Sequence, residues 1–518
     1  MTASLLNKIN KDFTGDPAIL SGQSKTYEIS GVFVADVIVE VSNSRDANSW
    51  FTIAIQANPG VIIDNEPWLY TRLRVVNYVS GVVNAILHVP MGESVTLPYK
   101  PATAVTALIT PATPFAPTSL IFSGGDYEVN WGDGIFTRYT NGLTATATPT
   151  GNITARAIQG EVIQRVEFTS DTITNVSITG GENLLDAGSI FRNLSKLLTV
   201  DIDSTKNITD FNRVFENCTS LFSIPTVMDI GSGTDMDLMF FNCGALSVYP
   251  DVLDMSKSKT SNSMFRNSGV VKLPDILDIS SSLDTNSMFR DTMILETPKI
   301  LDLASCLDAN FMFFDCLNLL KVSTLNNMGG ILKAQALFRN CISLVTAPLI
   351  MDVSGITVGL DMFRNCGALK SLPSLLNFIV CTNMSGTFRD MSSAVDLSQT
   401  TVILGVPNVM SLLFFNDSLL TKLPTINYNL STNLDDVFSG CQSLASISPI
   451  DTSAALTMGR FVKDCTSLVC MSSLDTTAAT DKGSMFSNTP LLVAPNSAER
   501  TDLTDINGAI YTNANPCP

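Results

Sequence analysis

Apolar positions recur in this chain on two periods, a long one and a short one. From Ile190 to Phe486 a phenylalanine, usually after another apolar residue, returns at Phe191, Phe215, Phe240, Phe265, Phe289, Phe313, Phe338, Phe363, Phe388, Phe414, Phe438 and Phe486. The spacing is 24 to 26 residues apart from one gap of 48, where Phe461-Val462 puts valine in the phenylalanine slot of a thirteenth copy. Two residues after the phenylalanine stands Asn or Asp in twelve copies, with Gly440 the exception. Cysteine follows directly in seven, at Cys218, Cys243, Cys316, Cys341, Cys366, Cys441 and Cys465, then an aliphatic residue such as Leu221 or Leu344, and often a proline. Such a period marks a solenoid, in which each copy is one coil that buries its apolar side only against its neighbours.

The stretch after the aliphatic residue, as in Val248–Met255 or Leu273–Ile279, reads as one short apolar strand per coil. Residues 165–495 are therefore expected to form a right-handed parallel-strand solenoid of about thirteen coils, roughly 60 Å long at roughly 4.8 Å per coil. The half bearing M-F-x-N-C is too short for a long helix and is expected to be a helical turn or a 3₁₀ segment, its Asn or Asp closing a tight turn. Ahead of the coils the period is two. Alternation at Val37–Ser42, Trp50–Ile55, Trp68–Val76 and Val82–Val89 predicts a β-sandwich over residues 1–97. Pro98, Pro101, Pro111, Pro114 and Pro117 among Ala and Thr read as a stiff spacer over 98–118. Residues 119–164 carry Trp131-Gly-Asp-Gly, whose Asp-Gly suits a tight hairpin turn. That segment and residues 496–518 are expected to cap the two ends of the rod, since an open coil exposes its core and strand edges. The fold class is mainly β.

The M-F-x-N-C-x-S-L core resembles the BspA-like, mycoplasma-lipoprotein-type leucine-rich repeat over the whole of residues 165–495. The resemblance implies a surface-displayed adhesion or ligand-binding module. Cysteine is missing from the pattern at Leu194, Ser268, Thr292, Met391, Asp417 and Thr489, and proline is missing around Ser392–Thr400, so distortion is expected there. The succession from Val39 through Trp50-Phe-Thr to Trp68–Leu87 resembles small β-domains of tailed-phage virion proteins, which implies that residues 1–97 anchor the chain to a major capsid or other virion protein. Trp131–Gly134 resembles the PKD-type hairpin.

Composition bounds these readings. A chain of 518 residues with 45% apolar and 15% charged residues has ample core, and its net charge of −17 argues against nucleic acid as a partner. No apolar run reaches 18 residues, so no membrane insertion is expected, and the N-terminus lacks the apolar core of a secretory signal. A virion surface protein assembled in the host cytoplasm needs no such signal. Seven cysteines in one slot predict a buried, reduced ladder, with Cys306, Cys381, Cys470 and Cys517 off it. Zinc spacing is absent, His88 is the only histidine, and no cofactor is expected.

No nucleophile elbow, phosphate-cradling loop or H-E-x-x-H stands in the sequence. Asp229, Asp254, Asp278, Asp302 and Asp352 recur once per coil, so they are expected to bond backbone or hydroxyl groups rather than to act as catalytic acids. Asp133 is read as a turn residue in preference to a calcium ligand. The position after the phenylalanine carries the functional expectation. It holds Arg192, Arg266, Arg290, Arg339, Arg364 and Arg389, with Glu216, Phe241, Phe314 and Phe415 between them. Spaced one coil apart, they would either pair with the recurring aspartates and cover apolar surface, or form a groove for an acidic host-surface glycan or a protein partner. Together these features read as a non-enzymatic virion surface protein of a tailed phage, a capsid decoration or head fibre. A tail fibre or receptor-binding protein, a cellular surface adhesin and a glycan-cleaving tailspike are the other readings, and a homo-oligomer is open.

Overall fold

The computed structural model divides the chain into two units, Met1–Thr103 and Ala104–Pro518. It describes residues 105–490, apart from 113–114, 226–227, 248, 251–252, 349–350, 407, 472–473 and 475, and the backbone of ten strands between Thr2 and Thr96. In the first unit Thr2–Ile9, Val83–His88, Lys25–Ser30 and Gly60–Asp64 lie in that order in one antiparallel sheet. Val95–Thr96, Ala18–Leu20, Tyr70–Gly81, Phe33–Ser42 and Phe51–Gln56 form a second, with Phe13–Thr14 beside Tyr70–Gly81. The four alternating segments of the sequence are thus all strands. Two antiparallel sheets are what a sandwich requires.

The expected spacer is shorter than 98–118. Thr106–Pro111 is a strand, paired on one side with Ile153–Ala157 and on the other with Ile173–Thr179. Its Ala107 and Ile109 are buried, and the one proline stands at the strand's last position, where a missing N–H is tolerated. Pro98, Pro101 and Pro114 lie outside the described residues, as do residues 496–518. Two sheets follow. One has the order Phe136–Tyr139, Tyr127–Asn130, Ile153–Ala157, Thr106–Pro111, Ile173–Thr179 and Thr199–Ile202; the other has Ala145–Ala147, Thr118–Ser123 and Arg165–Phe168. Leu120, Phe122, Tyr127, Val129, Ile153 and Val166 are buried, with Tyr127 stacked on Phe122 at 5.1 Å. Ile173–Thr179 pairs antiparallel with this cap and parallel with Thr199–Ile202 of the first coil, so the cap's sheet continues into the rod.

Trp131-Gly-Asp-Gly closes a turn, as expected. The side-chain oxygen of Asn130 accepts from the N–H groups of Gly132 and Gly134, and Asp133 Oδ1 accepts from Ile135 N–H at 2.9 Å. Gly132 has φ 97° and its absent Cβ would lie 2.3 Å from Gly151 N, so both conformation and space demand glycine.

The coils are built around stacked rings. From Phe168 of the cap, through Phe191, to Phe438, each phenylalanine stacks on the next with centroids 5.3 to 6.3 Å apart. Offset stacking of buried rings adds to the burial itself. Val462 does hold the slot in the twelfth coil, and Phe461 meets Phe438 edge-on. The widest step, 6.3 Å, separates Phe363 from Phe388, beside the copy that lacks proline. Even there Thr401–Leu404 pairs with Leu375–Phe378 and Thr425–Ile426, so the frame holds.

The M-F-x-N-C half differs from the expected helical turn. Phe211, Arg213, Phe215 and Asn217 each donate their N–H to the next coil, to the carbonyls of Asp235, Asp237, Met239 and Phe241. The intervening N–H groups of Val214, Glu216 and Cys218 close tight turns on Phe211, Arg213 and Phe215. The same four bonds recur from coil to coil as far as Asp464 to Ser487. Residues two before and two after the phenylalanine slot take positive φ, as at Arg213 (58°) and Asn217 (62°). Asparagine and aspartate tolerate that region better than other residues, which explains the second of these slots. There the amides also bond along the rod: Asn217 to Asn193 at 2.8 Å, Asn242 to Asn217 at 3.0 Å and Asn267 to Asn242 at 2.8 Å.

Regular strands are shorter than the sequence suggests. Leu273–Ile279 contributes only Ile276–Asp278, paired with Ile300–Asp302 and then Thr324–Asn326. Pro274 has no N–H for a ladder, so pairing starts after it. The recurring aspartates do cap turns: the N–H two residues on is held by Asp229, Asp254, Asp278, Asp302 and Asp352.

All seven ladder cysteines are buried and free, and each S–H donates to the phenylalanine carbonyl of the preceding coil, as Cys243 does to Phe215 at 3.0 Å. Burial pushes the Cys316 thiol up to about 12. Cys306 and Cys381 occupy a second slot shared with Ser258, Ser282 and Ser431, each bonding the carbonyl two residues on. Cys470, off both slots, is disulfide-bonded.

Two outcomes test this core. Phe363→Ala should lower stability by about 3–5 kcal/mol in chemical denaturation, and a loss below about 1 kcal/mol would remove the ring from the core. Asp417 sits fully buried in the cysteine slot, Oδ1 accepting from Met391 N–H at 2.6 Å and Oδ2 without a partner. Burial, and to a lesser degree Asp390, raises its pKa well above the ordinary carboxylate value, against the pull of the Met391 N–H. Its neutral form is the folded one, so the unfolded chain gives up this proton first. Stability from this group is complete below the unfolded value of about 4 and falls as pH rises toward the folded value. Asp417→Asn should therefore gain stability over the natural chain from pH 4 to pH 7; a difference independent of pH would refute the assignment.

Candidate binding stripe

Each residue after the phenylalanine slot is carried outward by the turn, and its carbonyl is gripped from the preceding coil. Asn242 N–H holds Arg266, Asn267 holds Arg290, Asp291 holds Phe314, Asp315 holds Arg339, Asn340 holds Arg364, Asn365 holds Arg389 and Asp390 holds Phe415. These bonds fix the side chains one coil apart. All eight residues singled out from the sequence (Arg266, Arg290, Arg339, Arg364, Arg389, Phe241, Phe314 and Phe415) thus fall on one line.

The rings and guanidiniums interleave. Arg266 lies over Phe241 at 5.6 Å, Arg290 and Arg339 over Phe314 at 4.5 and 5.4 Å, and Arg389 over Phe415 at 4.6 Å. The pairing expected with Asp229, Asp254, Asp278, Asp302 and Asp352 does not occur, because those carboxylates cap turns elsewhere on the coil. The partners are Asp291, Asp361 and Asp390, at the positive-φ slots beside the stripe. Asp291 lies 3.9 Å from Arg266 and 3.3 Å from Arg290. Asp361 lies 3.0 Å from Arg339 and 3.2 Å from Arg364, and Asp390 lies 3.8 Å from Arg364 and 3.1 Å from Arg389. Arg192 instead pairs with Glu216 at 2.9 Å, which closes the stripe at its first coils.

Sharing leaves the charges unbalanced. Five guanidiniums face three paired carboxylates, and a fourth, Asp315, accepts the Asn340 amide. Burial, followed by the neighbouring Arg290, lowers the pKa of Arg266, while burial raises that of Asp291. These arginine side chains remain 22 to 35% exposed. A ridge of positive charge on aromatic rings, within an acidic protein, can take planar anionic groups from solvent. Sequence reading missed Phe311, whose ring lies 5.8 Å from Arg290 and edge-on to Phe314. Its slot, two before the phenylalanine, holds residues of every kind and gives no signal.

Among the described residues no group of three or more His, Cys, Asp or Glu could hold a metal ion, and no helix is long and apolar enough to cross a membrane. Comparison with known proteins finds similarity in the repeats. A family model described as "Mycoplasma protein of unknown function, DUF285" matches residues 186–297 and 408–513. A solved leucine-rich repeat protein from Eubacterium ventriosum ATCC 27560 is 16% identical, covering 64% of this chain and 88% of its own, with a TM-score of 0.37. No curated protein matches. The repeats toward both ends of the solenoid are thus similar to that mycoplasma-type family.

Proposed function

We propose that this chain is a non-enzymatic display protein on the surface of a tailed-phage particle, and that its solenoid presents the arginine–phenylalanine stripe to an acidic glycan of the host surface. The observation that carries the binding role is the stripe itself: five guanidiniums in coil register, on aromatic rings, incompletely neutralised. Carboxylate or sulfate groups along a glycan would meet the guanidinium N–H groups, and sugar faces would lie on Phe241, Phe314 and Phe415. A non-enzymatic role is favoured because the recurring aspartates are spent on turn capping. The anchor role of the first unit rests on its resemblance to virion β-domains and on its being a compact unit of its own, Met1–Thr103. Net charge of −17 favours projection away from similarly charged neighbours. A capsid decoration or head fibre suits a sequence in which no coiled-coil or collagen-like shaft is visible; a tail location uses the same two parts.

Changing Arg290, Arg339 and Arg389 to Ser should abolish binding to an acidic glycan, read on immobilised polyuronate and sulfated polysaccharide. Partly exposed ion pairs contribute only about 0–1 kcal/mol each, so the variant should still fold. Unfolding would assign the arginines to structure alone. For the anchor, residues 1–103 should bind particles stripped of the protein while residues 104–518 stay in solution. Decoration by the solenoid piece alone would reverse the assignment. The cut belongs at 103 because a later one would sever the strand Thr106–Pro111.

A further inference from the structure

The outer face of four successive coils is apolar and has no cover among the described residues. Val271, then Met293 and Leu295, then Leu317 and Leu320, then Ile342 and Val345 are each 37 to 52% exposed. They are held in line by the backbone, Leu295 N–H donating to Val271, Leu320 to Leu295 and Val345 to Leu320 at 2.9 to 3.2 Å. Polar Ser247 and Lys370 mark the corresponding places one coil beyond each end. Single exposed apolar residues are ordinary, but a contiguous patch of them marks an interaction surface.

The charges beside the patch select the partner. Directly after the apolar column stand Lys272, Glu296, Lys321 and Thr346, one per coil, and Glu296, Lys321 and Thr346 are bridged backbone neighbours. Glu296 and Lys321 are exposed, and neither makes an ion pair with a described residue. We infer that two copies of this chain pair antiparallel through this face, about a two-fold axis between the coils of Phe289 and Phe313. Leu295 then meets Leu320 of the second copy, Met293 meets Leu317, and Val271 meets Val345. Glu296 meets Lys321 twice, and Lys272 meets Thr346. A two-fold contact must be self-complementary in this way. Parallel pairing in register would set Glu296 on Glu296 and Lys321 on Lys321, which like charge opposes. The acidic character of the whole chain does not act against this face, where two lysines accompany one glutamate and Asp275 is paired with Lys299 at 2.6 Å. A standard interface covers about 800 Å² per partner, so the polar residues flanking the seven apolar ones are covered as well.

Sedimentation velocity on the full chain tests the pairing. The natural protein should be a dimer at micromolar concentration, and Leu320→Lys should make it monomeric without changing its melting temperature, the side chain being exposed. Glu296→Lys and Lys321→Glu should each lower the dimer fraction, and the two together should restore it. A natural chain that stays monomeric, a Leu320→Lys chain that stays dimeric, or a double exchange no better than the single ones would each overturn the proposal.

Discussion

The rod depends on one constraint: in every coil four peptide groups point the same way. Their carbonyls face the preceding coil and their N–H groups face the next, as at Phe211, Arg213, Phe215 and Asn217. In a parallel sheet successive peptides alternate in direction and their dipoles largely cancel. Here they add, as they do in an α-helix, along the line of the phenylalanine stack. The cap answers the carbonyl end. Phe168 N–H donates to the carbonyl of Ile190, Phe168 provides the first ring of the stack, and Arg165 brings a cation to Asp186 at 2.5 Å. One short strand of the cap therefore starts both the apolar and the polar ladder.

That constraint explains which slots of the repeat are strict and which are free. The residue two after the phenylalanine must take positive φ, and Asn, Asp or Gly stands there in every coil. The residue two before it takes the same conformation with Leu238, Phe311, Ala336, Leu412 or Arg460. Residues of these types in that region store of the order of 1–3 kcal/mol each, so the surrounding bonds over-determine the turn. The first slot is also tied sideways by its amides from coil to coil, whereas the second is tied so at Arg460 and Asp436, and this added role is a physical reason for the first slot's uniformity. The cysteine slot follows from the same geometry. It faces a phenylalanine carbonyl in the coil below, so it wants a small, apolar, weakly donating group, and Thr292 meets the need by bonding Phe289 of its own coil at 2.7 Å.

What could be read in the sequence was whatever repeats in identity. The thirteen copies, the stacked rings, the buried thiols, the turn role of Asp133 and the line of Arg266 to Phe415 all rest on residues that recur or on a local turn pair. What could not be read was conformation imposed by neighbours. Nothing at Phe311 or Leu238 announces a left-handed residue, so the M-F-x-N-C half was expected to be helical. Thr106–Pro111 was hidden by the prolines around it, although its own residues alternate as a strand should. The arginine partners were misassigned for a related reason. Asp254 and Asp352 recur conspicuously, but recurrence there reflects the turn each one caps, while Asp291 and Asp390 lie in a slot that most other coils fill with Asn, and Asp361 lies in one that holds residues of every kind.

A ladder repeats whatever stands in its slot, and this shapes where function can sit. Inward slots meet the same neighbours in every coil, so an ill-suited residue there, as Asp417 is, has a cost in stability. Outward slots feel no such demand, and residues can change from coil to coil while their spacing stays fixed. The arginine–phenylalanine stripe and the apolar face of Val271 to Val345 are two such outward columns, both centred on the middle coils. Each is a run of chemically unlike residues held in register by bonds that do not involve their side chains. A surface of this kind can be rewritten one coil at a time without disturbing the rod. The same fold can therefore carry different partners with its core unchanged.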